Sequence, residues 1–273
     1  MTVSTLRSGD AGATSDTDLS ARARHARRLA VRMAAGPTGC HLGGSLSVID
    51  ILVAAIDFVS GVPESEVVLS KGHAAAGLYA ALHASGILPE DPSEQYGRDG
   101  SPFTGHPNPA LRGIRFPTGS LGHGLAYAVG WSMACRLRAN GGTAVAVVGD
   151  GELQEGLTWE ACQVAAAQRL GNLIVVVDRN GYQNDGAVDD ISAMPHLADR
   201  FRAFGFAAVE VDGHDLTQLS ETLAAHDTRG DRPLAVIART MKAKGIAELE
   251  GRAGSHYVTA SPEQAHRWTQ ALR

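Results

Sequence analysis

Two short apolar runs, AVAVVGDG ending at Gly151 and NLIVVVDRN ending at Asn180, constrain this chain more than anything else in it. Each is rich in β-branched residues, continuous rather than alternating, and closed by polar, turn-forming residues, which is the pattern of a strand buried on both faces. Between them LTWEACQVAAAQRL repeats its apolar residues at helical spacing. Strand, helix and strand in that order make a βαβ unit, whose strands run parallel and whose crossover is right-handed. A parallel sheet needs helices on both faces, so the rest of the chain has to supply them.

It does. FAAVEV and PLAVIAR repeat the strand pattern with the helix-like DLTQLSETLAAH between them, and the short VVLS leads into GHAAAGLYAALHASG. Upstream, LSARARHARRLAVRMAAG reads as a basic amphipathic helix that stops at Gly36-Pro37, its arginines a solvated face. SLSVIDILVAAIDFV begins with a serine cap at Ser45 and is apolar nearly all round to Val59, as in a helix buried in a core or an interface. Residues 89–117 are rich in Pro and Gly and predict a long ordered loop, followed by a helix over 121–138. Trp131 and Trp159 fall within apolar helical patterns and read as core or subunit interface.

The expected class is therefore α/β, a doubly wound parallel sheet of about five strands flanked by helices. With 273 residues, 44% hydrophobic and 19% charged, the chain suits one such domain over 18–273 behind a disordered tail at 1–17. The net charge of -5 is spread without any basic block, which argues against a nucleic-acid or anionic-membrane partner. The amino-terminal stretch has no apolar run for a signal peptide or membrane span, so a soluble chain is expected. Cys40, Cys135 and Cys162 are odd in number and in no CxxC pairing, which speaks against a disulfide framework or zinc and for a reducing cytoplasm.

In doubly wound sheets ligands sit beyond the carboxyl ends of the strands, so the GDG and DRN turns face one crevice. Magnesium takes few protein ligands and leaves its other octahedral positions to phosphate oxygens and water. A carboxylate from Asp150, the amide oxygen of Asn180 and a main-chain carbonyl near Tyr182 would leave room for two diphosphate oxygens and a water. Gly149 and Gly151, flanking Asp150, allow the backbone to approach such an anion closely. No GxGxxG follows the first strand, so a Rossmann-type nucleotide-binding regulatory domain lacks support.

GDGELQEGLTWEACQVAAAQRLGNLIVVVDRNGYQNDG, together with TGCHLGGSLSVIDIL, LSKGHAAAGLYAAL, GHPNP, TGSLGHGLAYAVGWSMA and ARTMKAKGIAELEGRAGSHY, resembles the transketolase family of thiamine diphosphate enzymes. The resemblance runs from about residue 22 to 256. It implies the diphosphate-binding fold of that family, with Asp150, Asn180 and the Tyr182 carbonyl as magnesium ligands and Gly149 and Gly151 against the diphosphate. It further implies Glu155 as the glutamate that communicates between paired active sites, and Gly119, Ser120 and Leu121 against the cofactor. By the same resemblance His41, His73 and His106 would contact sugar hydroxyls or move protons, and His73 and His256 would approach the cofactor. His123 stands where many full-length transketolases have glutamine, a variant associated with two-chain members.

The stretch after the last strand holds no further βαβ unit, so the pyrimidine-binding and carboxyl-terminal domains of a transketolase are expected on a second subunit, in a heterotetramer. The substrate would be a sugar or sugar phosphate, and the activity transfer of a two-carbon ketol unit. The α subunit of a 2-oxo acid dehydrogenase or a non-catalytic cofactor-binding protein are the alternatives. His25, His83, His196, His214, His226 and His266 read as structural.

Overall fold

In the computed structural model, which describes residues 16–272, the two apolar runs lie side by side in a five-stranded parallel sheet of order β1-β2-β3-β5-β4. The strands are β1 (Glu66–Leu69), β2 (Ala144–Gly149), β3 (Leu173–Arg179), β4 (Ala207–Asp212) and β5 (Leu234–Arg239). Around them fold α1 (Asp16–Ala34), α2 (Leu42–Ser60), α3 (Ala75–Ala84), the one-turn α4 (Pro92–Gln95), α5 (His123–Arg138) and α6 (Gly156–Ala167). The short α7 (Val188–Ser192), α8 (Leu197–Ala203), α9 (Leu216–Ala224) and α10 (Pro262–Ala271) complete the chain. The tail expected at 1–17 lies outside the described residues except Asp16 and Thr17, which already belong to α1.

Alternation along each strand divides the core in two. Val145, Val147, Ile174, Val176 and Val236 face a layer of α1, α2, α3, α9 and α10, whereas Ala146, Val148, Val175, Val177 and Ile237 face α5, α6 and α8. Register fixes the functional end. Gly149 pairs with Asp178 at the last rung between β2 and β3, so the two polar turns leave the sheet together.

α2 is long and apolar enough to cross a membrane, yet it is the central helix of the first layer and is buried from Leu42 to Ile56. Each large aliphatic residue it buries contributes about 1.5–3 kcal/mol. The helix starts at Leu42, earlier than the serine cap predicted. Gly43 explains why: a side chain there would come within 2.4 Å of the Ser255 carbonyl, so the first turn packs directly on a 3-10 turn at Ala253–Ser255. Ser45 is consequently inside the helix, buried and uncapping.

The helix expected over 121–138 forms from His123, but only one face is covered. Leu125, Ala128, Val129, Ser132 and Cys135 are buried, while Gly130 and Leu137 are exposed. Trp131 is half-buried, its Nε1 donating to the Glu64 carbonyl at 3.0 Å under the Arg115 guanidinium. Trp159 packs on Phe201 and Phe204. After β5 comes α10, opened by a reciprocal capping box between Ser261 and Gln264, and among the described residues no further strand follows. All three cysteines are free and buried.

Candidate active site

The carboxyl ends of the strands and the start of α2 enclose a cavity of about 410 Å³. β1 delivers Lys71 and His73, β2 delivers Asp150, β3 delivers Asn180, and the segment after β5 delivers Lys242. His41 enters from the residue before α2, and His256 from the turn after Ala253–Ser255.

One corner gathers acceptor oxygens. The Asp150 carboxylate is 5% exposed and accepts hydrogen bonds from the main-chain N–H of Gly151 (2.9 Å) and Gly181 (2.6 Å). Burial, and then the negative charge of Asp178, push its pKa up to about 6. A buried carboxylate under that penalty is stabilised by a divalent ion. Asn180 is turned to complement it: its Nδ2 donates to Ser47 and Asp178, both at 3.3 Å, leaving Oδ1 as a lone acceptor that holds the Tyr182 N–H at 3.1 Å. Among the described residues no three His, Cys, Asp or Glu side chains make a metal site by themselves. An ion here would therefore share its ligation with amide, carbonyl and phosphate oxygens, as magnesium does.

Beneath that corner Asp178 is completely buried and takes Lys71 Nζ at 2.5 Å, Ser47 Oγ at 2.6 Å and the Thr240 hydroxyl. Burial alone would raise its pKa, but the Lys71 ammonium and these hydrogen bonds outweigh it and hold the carboxyl below its usual range. The pair is a fixed charge frame that orients Asn180 through Ser47 and Asp178. Lys242 Nζ reaches the Gln183 carbonyl at 3.2 Å and His256 Nδ1 at 3.3 Å. Burial and the nearby Lys71 charge lower its pKa to about 8, so at neutral pH it is a desolvated cation open to an anion.

Across the cavity stand three imidazoles. His41 and His73 are 5.4 Å apart between ring centres, His41 and His256 5.1 Å, His73 and His256 5.4 Å, and His106 lies 6.5 Å from His41 at the exposed rim. Burial, then His106 and the two lysines, lower the His41 pKa to about 4. Burial and Lys242 do the same for His256, and burial with Lys71 takes His73 well below its ordinary value. These rings are neutral at physiological pH and can both donate to and accept from a hydroxyl.

Of the residues singled out from sequence, His41, His73, Gly119, Leu121, Gly149, Asp150, Gly151, Asn180, Tyr182 and His256 line this cavity. His106, Ser120 and Glu155 do not; all three are exposed beside it, as is His123. Sequence reasoning passed over Lys71, Asp178, Lys242 and Glu152. The lysine in SKGH and the glutamate after GDG were visible, but nothing in the sequence distinguishes a buried charge from a solvated one. His214 Nδ1 binds Asp50 at 2.7 Å beside the buried Arg27–Asp50 pair, and His196 is the left-handed N-cap of α8.

Residues 63–271 match the family model described as transketolase, thiamine diphosphate binding domain. The chain is 36% identical over 258 residues to an apulose-4-phosphate transketolase subunit of Actinobacillus succinogenes, covering 90% of this chain and 92% of that protein. It is 34% identical to a 6-deoxy-6-sulfo-D-fructose transketolase subunit of a Clostridium species, over 85% of this chain and 86% of that one. Transketolase from Leishmania mexicana superposes with a TM-score of 0.83 at 27% identity, over 93% of this chain but only 41% of the solved one.

Proposed function

This chain belongs to the transketolase family, carrying its thiamine diphosphate-binding domain, and from that we propose that it is one half of a two-chain transketolase that moves a two-carbon ketol unit from a ketose to an aldose. The observation that carries the reading is one cavity with two chemistries. A cation-seeking corner at Asp150 and Asn180 faces a cluster of neutral imidazoles at His41, His73 and His256.

In this reading Asp150, Asn180 and the Tyr182 carbonyl would hold magnesium, and Gly149, Gly151 and Lys242 would meet the diphosphate. Thiamine diphosphate, when bound, supplies the carbanion chemistry that cleaves the ketose carbon–carbon bond. The chain supplies proton positions. His41 and His106 would meet substrate hydroxyls, His41 as a neutral ring that can donate to or accept from a hydroxyl because burial lowers its pKa to about 4. His73 and His256 would approach the cofactor, and Gly119 and Leu121 would wall its side of the cavity with Ser120 exposed beside them.

The partner would be a second transketolase chain carrying the pyrimidine-binding and carboxyl-terminal domains, in a heterotetramer with two copies of each chain. Two facts support it. The relatives are named as subunits, and α5 leaves one face open beside the cavity. Glu155, exposed on that side, would face the second active site. The substrates named for the relatives, apulose-4-phosphate and 6-deoxy-6-sulfo-D-fructose, point to a sugar or sugar phosphate. Buried free thiols suit a reducing cytoplasm. The relatives give no support to a 2-oxo acid dehydrogenase subunit or a non-catalytic binding protein.

Reconstitution tests the proposal. The purified chain is assayed with thiamine diphosphate, magnesium, a ketose donor and an aldose acceptor, with and without a candidate partner. Turnover is expected only in the mixture; robust turnover by the single chain would overturn the split-enzyme reading.

A further inference from the structure

GDGELQEG carries two glutamates, and the chain treats them oppositely. Glu155 is exposed, whereas Glu152 is 3% exposed and its carboxylate gathers three donors from three separate elements. Oε1 accepts from the Ser70 hydroxyl (2.5 Å), at the end of β1, and from the Gly122 N–H (2.7 Å), just before α5. Oε2 accepts from the Gly149 N–H (3.0 Å), the last residue of β2. Ser70 Oγ itself accepts from the Leu125 N–H at 3.2 Å, so its own proton is free to go to Glu152. Burial raises the Glu152 pKa, and the bonds from Ser70, Gly122 and Gly149 oppose that rise by favouring the carboxylate.

The joined elements are both walls of the cavity. Gly119 and Leu121 belong to the loop that ends at Gly122, and Gly149, Asp150 and Gly151 form the opposite turn. Gly122 sits in the left-handed region at φ 82, where a glycine loop has little stiffness of its own.

We propose that Glu152 is the positioning residue that ties loop 119–122 to turn 149–151, so that the two sides of the cofactor cavity keep a fixed separation. Glu152 borders the cavity, but its two oxygens are taken up by the Ser70 hydroxyl and the two glycine amides, through which it acts. Its link to thiamine diphosphate affinity rests on the proposed function, whereas the tie itself does not.

The isosteric Glu152→Gln variant tests it, because in either amide orientation an N–H group meets another donor. Hydrogen exchange on the full chain is read at the Gly122, Leu125 and Gly149 amides, with Val145–Val147 and Val175–Val177 of the sheet as internal reference. Exchange at the three amides should accelerate about tenfold while the reference stays put, the loss expected when a buried hydrogen bond is removed. Calorimetry with thiamine diphosphate and magnesium should show affinity weakened by about the same factor. Ser70→Ala, which removes one donor and leaves the carboxylate, should give a smaller change of the same sign and serves if Glu152→Gln does not fold. Unchanged exchange at Gly122 and Gly149, or equal acceleration throughout the sheet, would overturn the tie. Local loosening with unchanged cofactor affinity would overturn its role in the cavity. A parent chain that binds no thiamine diphosphate would count against the proposed function, while the exchange pattern would still decide the tie.

Discussion

Lys242 is the residue on whose charge the site depends most. It faces the cavity with its pKa lowered to about 8, first by burial and then by Lys71. Below that pH it is charged in the free chain; above it, it is neutral. An anion bound beside it favours the ammonium and raises the pKa, so binding at pH above about 8 must take up a proton. Thiamine diphosphate affinity should therefore hold below pH 8 and decline as pH rises through it. Calorimetry at pH 8.5 in buffers of different ionisation enthalpy should show the uptake, and Lys242→Met should abolish it. Buffer-independent heats in the parent would count against the assignment. Neither this lysine nor Lys71 could have been picked out from sequence. In MKAKG, Lys242 and Lys244 are near-equivalent letters, and only the fold buries the first at 1% exposed and leaves the second partly solvated. That Asp150 and Asn180 share one crevice was legible, because the register of two adjacent parallel strands brings both to the same end of the sheet. Glu152 and Glu155 were not separable, since the chain runs as a 3-10 turn at Gly151–Gln154 and is extended at Glu155, so the two point apart despite helical spacing.

At the scale of elements, the docking of α5 on the end of β1 depends on one missing side chain. A Cβ at Gly124 would stand 2.6 Å from the Cα and the Oγ of Ser70, and backbone there cannot yield cheaply. Gly124→Ala should thus destabilise the chain by about 1–3 kcal/mol from overpacking, more than the roughly 0.5–1 kcal/mol alanine gains inside a helix. Urea unfolding checks it, and an unchanged or higher midpoint would show that α5 shifts freely. The sheet itself was open to sequence reading, because continuous β-branched runs have few alternatives. The helices were read less completely. α8 and α10 are short and amphipathic, and their apolar residues, Leu197, Phe201, Ala265 and Trp268, are too few to signal a period. α2 began early because a close glycine contact replaced the expected serine cap, a tertiary effect that no local pattern records.

For the whole molecule, the open face of α5 is where an assembly would be felt. Gly130 lies exposed on it with nothing within 4 Å of where a Cβ would stand. Gly130→Glu should leave the isolated chain as stable as the parent or more so, by up to about 1 kcal/mol from helix propensity, while a buried, unpaired charge weakens assembly with the partner. Thermal unfolding of the chain alone and reconstituted activity titrated with partner separate the two effects. Full assembly at parental affinity would remove α5 from the interface. The cysteines have a consequence of a practical kind. Burial drives the Cys40 and Cys162 thiols up to about 12, so almost no thiolate exists there to be attacked, whereas Cys135 borders a surface pocket. With Cys135 replaced by serine the chain is in effect a silent background for maleimide chemistry: a single cysteine introduced on its surface would carry a fluorophore or spin label alone, and the arrival of a partner chain could be watched from whichever position was chosen.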